Sequence, residues 1–523
     1  MPVFSAQNIS FHFDNGEQLF TQLSCSMTKP RVGLVGRNGI GKSVLTSILS
    51  GEIAPSEGTV SKPISFALYR QQDDELLTQT SSIAHYLGKE TVLDAIKQIE
   101  AGSCDEKWYN LVGEQWDLES KLSQQLSEIG LPANPYFCCS QLSGGQLARL
   151  QLWQLFESEV ELLILDEPSN HLDRQAKQWL ISSMRHFSGS ILLVSHDREL
   201  LREVDEIWEM SQLGLQTFGG NYDNYEKLKH VELQAVERQL NNVEKTQKQL
   251  IEQAQKNKEK AEQRASQSNK SRKDGSQPKI LLDGMKNSAE RRLASRNKNE
   301  QLRMNHLQQK GNALRERQEQ LKTQKIYLED GQASTKKVLS LLDVTLKYSC
   351  VSALTLQVYA NDKLHLKGQN GSGKSTLLKT LHGRWPVVSG ECQVNTPLYY
   401  LDQHFNVIQQ QLSMLDNLMS HCDGMKESHA RTLLAGIGFR RDSVFRLGSA
   451  LSGGEKMKLA MLIVSHQPSQ PLLLLDEPDN HLDLESKINL ANALKHYQGG
   501  FILISHDHDF ALESGVNREI TLS

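Results

Sequence analysis

A chain of 523 residues is longer than one ordinary hydrophobic core serves, so two or more domains are expected. With 38% hydrophobic and 23% charged residues the composition is that of a globular protein, and a formal net charge of −4 singles out no partner. No apolar run approaches the ~20 residues of a membrane-spanning helix, and the start, MPVFSAQNISFHF, lacks the basic-then-apolar pattern of a secretory signal.

The seven cysteines, at 25, 104, 138, 139, 350, 392 and 422, form no CxxC pair and no Cys/His spacing suited to zinc or an iron–sulfur cluster. Reduced structural thiols and a cytoplasmic location are expected.

In chain order, the first informative element is the short apolar strand RVGLV, residues 31–35. It runs into Gly36-Arg37-Asn38-Gly39-Ile40-Gly41-Lys42-Ser43, and G-x-x-x-x-G-K-S between a strand and a helix is a P-loop. Its glycines let successive backbone amides curl around phosphate oxygens. Lys42 is expected to reach the β- and γ-phosphates of a nucleotide, and the Ser43 hydroxyl to hold Mg²⁺.

The stretch WYNLVGEQWDLESKLSQQLSEIGL, residues 108–131, reads as helical. LSGGQ, residues 142–146, places Ser143, Gly144 and Gly145 at a helix start. Ser143 there either caps the helix or turns hydroxyl, amides and helix dipole toward a phosphate. LLIL, residues 162–165, is continuous rather than alternating and so reads as a buried parallel strand. It ends in Asp166, expected to steady Mg²⁺ through its water shell, and Glu167, expected to orient or deprotonate an attacking water. A further apolar run, ILLV, is followed by SHD, whose His196 is expected near a γ-phosphate.

From about residue 226 to 337 the composition changes. Residues 231–330 hold 22 Lys/Arg against 14 Asp/Glu, whereas the remainder holds 36 against 48. Apolar residues recur at Leu233, Val236, Leu240, Val243 and Leu250, and again at Leu307, Leu314 and Leu321, as in the seams of two packed helices. Between them Gly275, Pro278 and Gly284 break the pattern. A helical hairpin with a basic tip is expected. Its one-signed charge suits a phosphate backbone, and Ile280, Leu281, Leu282 and Met285 in the tip do not suit an inert spacer.

Then every motif returns in the same order. KLHLK precedes Gly368-Gln369-Asn370-Gly371-Ser372-Gly373-Lys374-Ser375-Thr376; LSGGE brings Ser452, Gly453 and Gly454; LLLLDEPDNHLD brings Asp476 and Glu477; and FILI precedes His506.

These residues resemble the ATP-binding cassette superfamily, and DEPSNHLD and DEPDNHLD on two cassettes in one chain resemble its ABC-F branch. The resemblance implies an α/β fold with two tandem P-loop cassettes, residues 1–225 and 338–523, joined by a helical-hairpin linker, residues 226–337. It implies head-to-tail closure over two ATP molecules with Mg²⁺, each site joining one half's P-loop to the other half's LSGG. Gln71 and Gln403 match the Q-loop near the metal, Phe13 and Tyr348 the aromatic that stacks on adenine, and Asp173 and Asp483 the D-loop at the seam. The implied protein is a monomeric ATPase that binds the ribosome at the exit-tRNA site and is released by hydrolysis. In that reading Lys270, Arg272, Lys273, Lys279 and Lys286 contact RNA, and no membrane subunit is needed. A general translation factor and a protector against a ribosome-binding antibiotic both fit. A transporter's nucleotide-binding engine and a DNA-directed ATPase are the other classes such cassettes serve. The basic hairpin and NHLD argue against the first, and the absence of zinc modules and very long coiled coils against the second. The interval from the Q-loop to LSGG is 23 residues longer in the first half, short for the stalk-contacting arm of some relatives.

Overall fold

The computed structural model describes residues 4–14, 16, 18–61, 63, 65–70, 81–170, 172–211, 214–273, 295, 298–299, 301–315, 317–318, 336–347, 353–369, 371–402, 405–422, 424–439, 441–467, 471–480 and 482–522. They fall into two bodies, one of residues 1–223 with 324–523, the other of residues 224–323.

In the first body each half carries the same plan. The N-terminal half opens with β1 (Phe4–His12), β2 (Gln18–Met27), β3 (Arg31–Gly36), α1 (Lys42–Ser50), β4 (Glu57–Ser61) and β5 (Phe66–Tyr69). Strands β1, β2 and β4 make an antiparallel sheet of order β2-β1-β4. Four helices follow, α2 (Ile83–Tyr86), α3 (Glu90–Glu100), α4 (Glu106–Val112) and α5 (Leu118–Glu128); α2, α3 and α5 pack around Ile83, Leu93, Leu122, Leu126 and Leu150, and α4 buries Val112 against Ala95 and Ile96 of α3. The helix expected over 108–131 is thus two, because Gly113 takes φ 54° and caps α4.

Next come α6 (Gly144–Phe156), β6 (Leu162–Asp166), α7 (Arg174–His186), β7 (Ser190–Val194), α8 (Arg198–Leu201), β8 (Glu206–Ser211) and β9 (Gly214–Gly219). The second sheet has the order β5-β6-β7-β3-β8-β9, parallel except for β9. Leu162, Leu163, Ile164 and Leu165 are all buried, as a strand covered on both faces requires. Because β6, β7 and β3 are adjacent, the P-loop after β3, the Asp166-Glu167 pair ending β6 and His196 after β7 meet at one sheet edge. Crevices at the carboxyl ends of parallel strands are where α/β sheets bind ligands.

The second body contains most of α9 (Tyr222–Lys273) and a helical stretch over 301–315. Val236, Leu240 and Val243 bury against Leu314, with Leu307 beside them. Arg315–Glu244 at 3.0 Å and Arg317–Glu232 at 2.9 Å tie the two stretches on their exposed sides. Of the heptad-like seam read from the sequence, Val236, Leu240, Val243, Leu307 and Leu314 pack together, Leu233 and Leu250 are half-buried outside that cluster, and Leu321 lies outside the described residues.

The C-terminal half repeats the plan with β10 (Lys337–Thr345), β11 (Leu354–Tyr359), β12 (Lys363–Lys367), α10 (Lys374–Leu381), β13 (Ser389–Val394) and β14 (Leu398–Asp402). It continues through α11 (Met414–His421), α12 (Glu427–Gly436), α13 (Gly453–Ser465), β15 (Leu472–Asp476), α14 (Leu484–His496), β16 (Phe501–Ile504), α15 (His508–Glu513) and β17 (Arg518–Thr521). Its sheets run β11-β10-β13 and β14-β15-β16-β12-β17. No helix among the described residues is long and apolar enough to cross a membrane.

Candidate nucleotide-binding sites

Each P-loop is shaped by its glycines. Gly39 and Gly371 take φ of 80° and 83° with open space where a Cβ would stand, so backbone conformation rather than crowding demands glycine there. Gly41 and Gly373 cap α1 and α10 without a side-chain hydrogen bond, which leaves first-turn amides facing the loop. Ile40 packs on the core beneath β3, and Thr376 lies half-buried in the first turn of α10.

Lys42 and Lys374 are both buried. The Lys42 Nζ donates to the Gly36 carbonyl at 2.7 Å and stands 3.0 Å from His196 Nε2. The Lys374 Nζ donates to the Gly368 and Gln369 carbonyls at 2.8 and 2.9 Å. Burial lowers the pKa of both amines, and Glu167 and Glu477 respectively are the foremost charges opposing that shift.

The hydroxyl of Ser375 donates to Asp476 Oδ1 at 2.8 Å, and Tyr400 donates to Oδ2 at 2.7 Å. Ser43 stands close enough to Asp166 to lower its pKa. Burial raises the pKa of both aspartates. A hydroxyl and a carboxylate at the mouth of a phosphate loop are hard oxygen donors, the set Mg²⁺ favours, so the residues fit that ion.

Glu167 and Glu477 each adopt φ of 50°, a left-handed backbone uncommon outside glycine. The strain is held by strand bonds: Glu167 N donates to the Val194 carbonyl at 2.8 Å and Glu477 N to that of Ile504 at 3.0 Å. Its repetition in both halves turns each carboxylate toward the histidine after the neighbouring strand, His196 at 3.6 Å and His506 at 3.5 Å. Burial pushes Glu167 up to about 7 and holds His196 well below the usual imidazole range. Among the described residues, Glu167 Oε1, His196 Nδ1 and His506 Nε2 are buried without a hydrogen bond. Three orphaned polar atoms at two matching places mark sites prepared for a polar ligand.

Ser143 and Ser452 cap α6 and α13 with full capping boxes, closed by Gln146 and Glu455. The capping role read from the sequence is therefore real. Ser143, Gly144 and Gly145 also line a cavity of about 410 Å³ shared with Glu477 and His506 of the other half, and with Asn38, Glu167 and His196. Gly453 and Gly454 open α13, whose Lys458 is near enough to Arg37 and Glu485 to feel their charges.

The halves touch reciprocally. Asn38 N donates to Asp483 Oδ2 at 3.1 Å, so the first P-loop meets the second D-loop. Asp173, Arg174 and Gln175 line a cavity with Gly368, Gln369, Gly371 and Lys374, so the second P-loop faces the first D-loop. Between the sites, buried Lys177 pairs with Asp197 at 2.7 Å and donates to the His506 carbonyl at 3.3 Å, while Lys487 pairs with Asp507 at 3.3 Å. Neither lysine was singled out from the sequence. Aligning HLDRQAK with HLDLESK would have found them, since both stand four residues after the D-loop aspartate.

Phe13 is 42% exposed, edge-on to Phe11 at 5.5 Å. Gln71, Tyr348, Asn370, Gln403, Lys279 and Lys286 lie outside the described residues, as do the side chains of Lys270, Arg272 and Lys273.

A family model described as ABC transporter matches residues 21–170 and again 351–480. The ATP-binding protein Uup of Escherichia coli is 31% identical over 92% of this chain and 74% of its own length. ABC transporter F family member 5 of Arabidopsis thaliana is 28% identical over 94% of this chain and 70% of its own. The archaeal ribosome recycling factor aABCE1, crystallised with the ribosomal stalk protein aP1, shares the fold at a TM-score of 0.59 and 16% identity, covering 98% of this chain and 87% of that one.

Proposed function

Since this chain belongs to the ABC-F branch of the ATP-binding cassette superfamily, and is an ATPase with two cassettes, we propose that it is a nucleotide-driven clamp acting on the ribosome. The observation that carries the clamp is reciprocal: each P-loop faces the D-loop of the opposite half. Neither half completes a site alone.

At each site the P-loop amides with Lys42 or Lys374 grip the β- and γ-phosphates. Ser43 with Asp166, and Ser375 with Asp476, would hold Mg²⁺, which when bound neutralises charge on the phosphate oxygens. Gln71 and Gln403 belong beside it. Glu167 and Glu477 take up a proton from the attacking water, a task that the near-neutral pKa of Glu167 suits. His196 and His506 contact the γ-phosphate, and Ser143 and Ser452 present their helix N-termini to it from across the seam. Phe13 and Tyr348 stack on adenine. Dry surroundings strengthen each of these contacts.

Closure on ATP fits the protein to the exit-tRNA site and brings the basic hairpin toward tRNA and rRNA; hydrolysis releases it. The excess of basic residues over 231–330, in an otherwise acidic chain, supports an RNA partner. That a structural neighbour is a ribosome recycling factor agrees with the reading. The chain is taken to act as a cytoplasmic monomer.

Glu167→Gln combined with Glu477→Gln tests this. Expressed in cells, the ATP-filled variant is expected to sediment with ribosomes in sucrose gradients and to slow growth. Protein that stays at the top of the gradient at modest salt contradicts ribosomal action. Growth against a panel of ribosome-binding inhibitors, with and without the gene, separates a protector from a general translation factor.

A further inference from the structure

The two seams are not alike. In the first P-loop, Arg37 makes a two-pronged ion pair with Glu485 on α14, Nε to Oε2 at 2.7 Å and Nη2 to Oε1 at 3.1 Å. The neighbouring residues reinforce it, Asn38 N donating to Asp483 Oδ2 at 3.1 Å. Lys458 on α13 adds a second cation to the surroundings of Glu485. At the other seam the matching positions are Gln369, second in its P-loop, and Gln175, two residues after the D-loop aspartate. Two neutral amides form no ion pair. The acid at that D-loop, Asp173, pairs with Arg149 of its own half at 3.3 Å and also faces Lys374 across the seam closely enough to raise the lysine's pKa against burial.

All catalytic motif residues are present in both halves, so an order of opening has to come from something else. We propose that the Arg37–Glu485 pair is a latch that keeps the seam over the Lys42 loop shut longer than the seam over the Lys374 loop. The clamp then opens first at the Lys374 site, nucleotide leaves there first, and the Lys42 seam serves as the pivot. Arg37 and Glu485 are positioning residues: they act on the seam and not on the reacting phosphate. Bidentate geometry favours the pair over an ordinary surface ion pair. With Arg37 half-exposed, salt screens it.

The inference rests on the clamp reading and not on the ribosome. Its test is amide hydrogen exchange on the full-length protein, without nucleotide and with ATP, following peptides around residues 36–43 and 483–487 against those around 368–375 and 173–177. Slower exchange is expected at the first pair of segments. Arg37→Gln with Glu485→Gln, which gives the first seam the residues of the second, is expected to raise exchange there about two- to fivefold and leave the second unchanged. Gln369→Arg with Gln175→Glu is expected to slow exchange at the second seam. The swapped pair Arg37→Glu with Glu485→Arg is expected to restore protection at the first, and 0.5 M salt to shrink every difference. Equal exchange at both seams of the unaltered protein, or a swap that fails to restore protection in a folded chain, overturns the latch. If ATP protects neither seam, the clamp reading itself falls.

Discussion

Glu167 and Glu477 stand at the end of an apolar strand in a backbone conformation that few side chains adopt. Their place was legible because a buried parallel strand reads as LLIL or LLLL, and an acidic pair at its end has few structural uses. The left-handed turn was not legible, since nothing in Asp-Glu-Pro requires it; the bonds to Val194 and Ile504 on the neighbouring strands impose it. His365 went unremarked for a related reason. It sits in the middle of β12 where the first half has Gly33, and a lone histidine in an apolar run reads as ordinary packing. In the structure it is buried, with Nε2 3.1 Å from the Ser505 carbonyl, beside the loop that carries His506. Burial depresses its pKa; Lys367 and His508 act in the same direction, and the Ser505 bond and Glu519 oppose it. An unfolded chain, with its histidine near the ordinary value of about 6.5, therefore binds a proton more readily than the folded one. The stability His365 contributes is present above that value and is lost as pH falls through it. In His365→Gln the fall in melting temperature between about pH 7 and pH 5 is expected to be shallower than in the unaltered protein. Parallel curves would show that His365 does not titrate on unfolding.

At the scale of elements, the strands and helices that carry the motifs were readable because their patterns are local. The P-loop lies between an apolar strand and a helix, and the serine-glycine pairs open helices as capping residues should. The helical reading of 108–131 missed the break at Gly113, because a single glycine inside an amphipathic run reads either as a cap or as a tolerated interruption. What no local pattern shows is the pair of buried lysines where α7 and α14 meet the loops after β7 and β16. The Asp197 and Glu199 carboxylates hold Lys177 charged against the burial that opposes it. Its ammonium also reaches the His506 carbonyl of the opposite half. Removing one member of a buried pair leaves the other charge uncompensated. Lys177→Met is therefore expected to destabilise the fold by about 3–5 kcal/mol in denaturant unfolding at neutral pH. A loss below 1 kcal/mol would mean that water replaces the lysine at the seam.

At the scale of the whole molecule, the duplication gave away two cassettes and a change in charge gave away the hairpin. Val236, Leu240, Val243 and Leu314 then pack as their spacing implies. The seam could not be read, because Arg37 and Glu485 are 448 residues apart and nothing in either stretch names the other. Only the family resemblance supplied a head-to-tail arrangement, and the bonds from Asn38 to Asp483 and from Lys177 to His506 give it physical form.

The central claim is that each ATP is held by both halves, and nucleotide counting tests it most directly. Glu167→Gln with Glu477→Gln, loaded with ATP and desalted, is expected to retain two ATP per chain. Adding Ser452→Arg, hundreds of residues from Lys42, is expected to reduce this to one and to free the Lys42 loop, as read by loss of ATP crosslinking there. Retention of two ATP with Ser452→Arg in place would contradict shared sites.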